Sequence, residues 1–84
     1  MSAIEVGDVF VADDGALFVI LRAGGRDVHH YRLFAPGDLV RPGPASTFGG
    51  HGTRDAFNPC LSGYGTPRYL GHRDDVAALS GVDL

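Results

Sequence analysis

All five prolines and seven of the thirteen glycines of this chain fall between residues 35 and 67. Proline fixes φ and withholds a backbone donor, and clustered glycine leaves a strand or helix with little to pack. Regular structure must therefore be built mainly before that stretch and closed after it. The chain divides into a segment over 4–34 with most of the regular hydrophobic signal, a Gly/Pro-rich segment over 35–67, and a closing segment over 68–84. At 84 residues these are parts of one domain, with no room for a second core. A chain this short buries only about 60–65 % of the surface its unfolded form exposes, so its stability is a few kcal/mol.

The first segment reads as a three-stranded antiparallel meander. Ile4, Val6, Phe10 and Ala12 share one parity, interrupted by Asp8, and Val9 and Val11 supply apolar groups on the other. Asp13-Asp14-Gly15 is a hairpin signal, because Asp-Gly accepts the positive φ that tight turns need. Ala16 to Leu21 is a continuous apolar run of strand length, which suits a central strand covered on both faces. Gly24-Gly25 supplies the next turn. In the third strand Tyr31 and Leu33 point one way, His30 and Arg32 the other.

The middle segment offers Leu39-Val40-Arg41 as a short strand before Pro42-Gly43-Pro44, and then no sustained period from Ala45 to Pro67. Phe48, Phe57, Cys60, Leu61 and Tyr64 are spread through that stretch and are expected to tack it to the core as a long irregular loop. In the closing segment Arg68-Tyr69-Leu70 reads as a strand. Asp74 or Asp75 can cap a short helix running to Ser80, with Gly81 and Val82 at its end. The expected fold is mainly β: a small, partly open antiparallel barrel with a long irregular loop and a short C-terminal helix. In outline it resembles the Src-homology-3-like small barrels, on the strength of Val6-Gly7-Asp8, the Asp14-Gly15 hairpin and the Gly24-Gly25 turn within the first 40 residues. A fold shared so widely implies no function.

Composition narrows the function classes. The chain has no apolar run long enough to span a bilayer. Met1 to Gly7 shows no secretory pattern, and Cys60 as the single cysteine precludes an internal disulfide, so a reducing cytoplasm is the expected location. The net charge is −3, all seven bases are arginine and nine of the ten acids are aspartate. That balance gives no long-range attraction to nucleic acid or anionic membrane.

Four histidines and a cysteine raise the question of zinc. Their spacings match no paired-ligand signature, and adjacent His29 and His30 point to opposite faces of a strand. Only convergence of His51, Cys60 and His72 would make a metal site. Cys60 beside His51 or His72, with Asp55 orienting the ring, would be a thiolate–imidazole pair, but no nucleophile motif surrounds it. A lone cysteine is more commonly a buried apolar filler. Phe48-Gly49-Gly50-His51-Gly52 lacks the strand-to-helix setting of a phosphate loop and reads as flexible chain or a tight turn. The expectation is therefore a non-enzymatic protein-binding module without cofactor, regulatory or inhibitory in role. Its candidate contacts are Phe48, Arg54, Phe57, Tyr64 and Arg68 in the irregular segment, because aromatic and arginine side chains dominate binding hot spots. A sheet edge near His29, His30 and Arg32 is a second route, to a peptide strand or to a homodimer. A nucleic-acid-binding barrel using arginines and aromatics is the alternative, promoted by arginine clustering in the fold, and a zinc-binding module the next.

Overall fold

The computed structural model describes residues 3–23, 28–35 and 47–81. Six strands form one sheet: β1 (Asp8–Val11), β2 (Leu17–Ala23), β3 (His29–Phe34), β4 (Thr47–Thr53), β5 (Ala56–Asn58) and β6 (Arg68–His72). Their order is β5-β4-β3-β2-β1-β6, with every neighbouring pair antiparallel. The chain thus meanders outward from β1 and returns β6 to the free side of β1. This is the mainly β, partly open barrel expected from the sequence. The expectations placed on Gly24-Gly25, Leu39-Val40-Arg41 and Val82 lie outside the described residues.

The apolar run of β2 is central, flanked by β1 and β3 and covered on both faces. Phe18 and Ile20 pack on one side with Phe10, Tyr31 and Phe57. Leu17 and Val19 pack on the other with Val9, Phe34 and Leu79. The first face is concave. Phe10 of β1 stacks on Phe57 of β5 at 4.5 Å between ring centroids, although four strand steps separate the two in the sheet. Only a curled sheet brings them together. The convex face is capped by Leu79 and the half-buried Val76.

Four local expectations are corrected. Residues 47–58 are not a loop but the β4–β5 hairpin, with Arg54 and Asp55 in its turn. The glycines that hide this strand are there for close approach. A Cβ on Gly50 would lie 2.8 Å from the Asn58 carbonyl oxygen and 2.9 Å from the Phe57 ring. The C-terminal helix is two 3-10 turns, Arg73–Asp75 and Ala77–Leu79, broken by Val76 in extended conformation. His72, not an aspartate, caps the first, its Nδ1 accepting from the Asp74 N–H at 3.1 Å. So short a segment gains too little from one α-turn after another to pay for nucleation, and it docks instead through Leu79. Val6, expected to open the first strand and sharing a parity with Ile4, Phe10 and Ala12, is 55 % exposed because it lies in the turn before β1. Cys60 is exposed rather than a core filler. It holds a left-handed φ of 59°, and its N–H donates to Asn58 Oδ1 at 2.9 Å.

No helix among the described residues is long and apolar enough to cross a membrane.

Candidate functional site

Two polar constellations stand out, and their chemistry differs. The first closes the barrel. The β4–β5 turn carries Arg54 across the open side to β1, where Nε and Nη2 donate to the two oxygens of Asp8 at 2.8 and 3.0 Å. Nη2 also reaches Glu5 at 3.1 Å, and the guanidinium lies 4.8 Å from the Tyr69 ring centroid. Asp8 is 1 % exposed and takes a further hydrogen bond from the Glu5 N–H. The Asp8 hydrogen bond raises the Arg54 pKa still further above its ordinary value, so the cation persists at any working pH. Every polar group here is answered from within the chain. Such a group spans a seam where β5 and β6 do not pair, and it is structural. Arg54→Met strands the buried Asp8 carboxylate, so its denaturation midpoint should fall well below that of the double variant Asp8→Leu/Arg54→Met, in which neither charge remains. Equal midpoints in urea melts would remove the clamp from the account.

The second constellation faces outward from β2, β3 and β4. The register between β2 and β3 slips between Ile20 and Arg22, so Leu21 is an extra residue. In an unbroken strand Arg22 would share the concave side with Ile20. The bulge reverses this: Ile20 still opposes Tyr31 of the concave core, but Arg22 opposes His30. Arg22 and His30 are both exposed. Arg32, two residues along and half-buried, is held 4.7 Å from the Phe34 ring centroid on the convex side. Across the next pairing His30 opposes Gly49 of β4, so no side chain stands beside it there. None of the three strands contains an Asp or Glu. Among the described residues, the exposed carboxylates Glu5, Asp13, Asp14, Asp55, Asp74 and Asp75 lie outside them. Among the described residues, the charged side chains that these three strands contribute are Arg22 and Arg32.

The remaining expected contacts scatter. Phe57 is fully buried at the centre of the aromatic core and is no surface anchor: it closes on Phe10, Phe18 and Tyr31. Tyr64 is half-buried, edge-on to Phe18 at 5.3 Å. Phe48, 37 % exposed, opposes Tyr31 on the concave side. Arg68 is exposed on β6, opposite Val11. The strand-edge placement of His29, His30 and Arg32 is also overturned, because β3 lies between β2 and β4. His30 and Arg32 keep a place on the face. His29 turns inward and is 7 % exposed. His51, Cys60 and His72 do not come together, and no group of three or more His, Cys, Asp or Glu side chains forms among the described residues. Arg22 was not among the expected protein contacts, because a bulge leaves no mark in an apolar run.

Tyr31 links the core to the segment after β5, its hydroxyl donating to the Pro59 carbonyl. Burial, aided by the nearby Cys60 and Tyr64, pushes its pKa up to about 12. The neutral phenol is the form the fold favours, so this contribution is complete below about pH 10, where the unfolded phenol titrates, and is lost as pH rises toward 12. Alkaline titration followed at 295 nm should show a step near pH 12 from Tyr31. In Tyr31→Phe that step should vanish.

Comparison with protein-family models, with curated proteins and with solved structures finds no match to this chain.

Proposed function

We propose that this chain is a small protein-interaction module of a reducing, cytoplasmic environment, and that its contact surface is the part of the convex side of β2, β3 and β4 that carries Arg22, His30 and Arg32, beyond the cap formed by Leu79 and Val76. The observation that carries this is the bulge at Leu21, which sets the arginine of β2 beside an exposed histidine on a three-strand face without acidic residues. Bulges re-aim side chains, and this one turns Arg22 from the concave aromatic side to an exposed position where a partner can reach it. Arginine on a rigid strand is pre-organised for contact and loses little freedom on binding. The same grouping speaks for the nucleic-acid alternative, but two arginines on a chain of net charge −3 are little for a phosphate backbone.

The test is affinity capture from the source cytosol by the wild type, by Arg22→Glu/Arg32→Glu and by Arg68→Glu, which reverses a charge on a distant strand. The expected result is a stoichiometric protein held by the wild type and by Arg68→Glu and absent from the double variant. Capture that survives the double charge reversal would overturn the reading.

A further inference from the structure

We infer that Asp14–Gly15 is a latent site of backbone isomerisation, held off in the folded chain by the two hydrogen bonds that build its turn. The site lies apart from the contact face, in the connection between β1 and β2.

Asp14 is the only aspartate of the sequence followed by glycine, and there is no Asn-Gly pair. The carboxyl carbon of an aspartate is open to attack by the main-chain nitrogen of the next residue, and glycine, without a Cβ, hinders that attack least. The bond from Gly15 N to Asp14 Cγ forms, the Cγ–OH bond breaks, and the hydroxyl leaves with the amide proton as water. Water then reopens the cyclic imide. Attack at the Asp14 main-chain carbonyl carbon breaks its bond to Gly15 N and leaves the chain running through Cγ, as isoaspartate. Attack at Cγ restores aspartate. One water leaves and one returns, so the mass is unchanged and no further reactant is needed.

Water reaches the pair, since Asp14 and Gly15 are both exposed and a Cβ on Gly15 would stand in open space. What opposes the reaction is the hairpin itself. The Gly15 N–H donates to the Ala12 carbonyl at 2.9 Å, so the attacking nitrogen is engaged. Asp14 Oδ1 accepts from the Ala16 N–H, also at 2.9 Å, which turns the carboxyl toward the nitrogen one residue past the one that must attack. Both bonds must break before the ring closes. The base of the turn is fastened to the core, because Ala12 and Ala16 are buried and the Ala12 N–H donates to the Ala16 carbonyl at 2.9 Å. A domain of marginal stability nevertheless opens from time to time, and each opening frees the reactive pair.

The product does not fit back. Isoaspartate lengthens the main chain by a methylene inside the short connection from Ala12 to Ala16, and it removes the Oδ1 acceptor from the Ala16 N–H. The next rung of the ladder, Val11 opposite Leu17, inherits the misfit. The isomerised chain therefore holds its first hairpin less firmly, and unfolding is recorded in the backbone as an irreversible change.

The experiment incubates the wild type in warm, mildly acidic buffer, the wild type in strong urea, and the destabilised Phe57→Ala without urea. Asp14→Glu, whose ring closure would be six-membered and slower, is carried through the same conditions. Isoaspartate is placed by tandem mass spectrometry of the tryptic peptide that ends at Arg22, and circular dichroism gives the folded fraction. Isoaspartate at position 14 should form about tenfold or more faster in urea than in the folded wild type. In Phe57→Ala its rate should follow the unfolded fraction, and in Asp14→Glu no isomerisation should appear at that position. The wild-type chain carrying isoaspartate at 14, once purified, should unfold at a lower urea concentration than the unmodified chain. Equal rates in the folded and unfolded wild type, no isoaspartate at 14 in urea, or an unchanged midpoint for the isomerised chain would each overturn the inference.

Discussion

Phe57→Ala should leave most of the chain unfolded at room temperature. Phe57 is the only part of β5 that enters the core, and it is fully buried. Its ring meets Phe10 at 4.5 Å, Tyr31 at 5.6 Å and Phe18 at 6.0 Å, so one side chain joins three strands to the hairpin. Truncating a buried phenylalanine costs about 3–5 kcal/mol in lost transfer energy and cavity. A domain this small has only a few kcal/mol to lose. Phe57→Leu, which refills most of the volume, should remain folded with a lowered midpoint. Far-ultraviolet circular dichroism under urea separates the cases. A near-wild-type midpoint for Phe57→Ala would mean that β5 is not part of the core.

Gly52→Ala should destabilise by about 3 kcal/mol or more, adding backbone strain of about 1–3 kcal/mol to overpacking of similar size. Gly52 holds φ at +114°, and a Cβ there would fall well inside contact distance of the Ala56 carbonyl oxygen. The backbone around Ala56 has nowhere to go, because it pairs with Thr53 in the same hairpin. Gly49→Ala, three residues earlier on the same strand, should be neutral within about 0.5 kcal/mol, since its Cβ meets only ordinary contact. The same substitution in one strand thus has opposite expectations. Equal midpoints for the two variants would contradict the register of β4 on β5.

These two predictions also show where the sequence is legible and where it is not. The run Leu17–Ile20 announces a central strand because it is apolar at both parities, and both parities are buried. The Asp14-Gly15 turn announces itself through Gly15, which takes a positive φ. β4 announces nothing. Thr-Phe-Gly-Gly-His-Gly-Thr reads as flexible chain, yet Gly50 and Gly52 are glycine because β5 crosses too closely for a Cβ. That requirement is tertiary and leaves no periodic trace. The recognition that Phe57 is apolar is easy, but its burial depends on the curl that carries β5 to β1. Loop composition therefore mistook a core residue for a surface anchor. The candidate face was half legible. His30 and Arg32 follow from alternation along β3, whereas Arg22 reaches them only through the slip at Leu21. Arg54, chosen as a contact, instead finds a buried carboxylate 46 residues away in the chain.

The account turns on which face of the sheet meets a partner. The most direct measurement places a photo-crosslinking benzoylphenylalanine at position 30 in one protein and at position 64 in another, and irradiates both in the source cytosol. The account predicts a discrete higher-mass adduct from position 30, on the convex side, and none from position 64, beside Phe18 on the concave side. An adduct from position 64 with none from position 30 would contradict it and return the contact surface to the segment that follows β5.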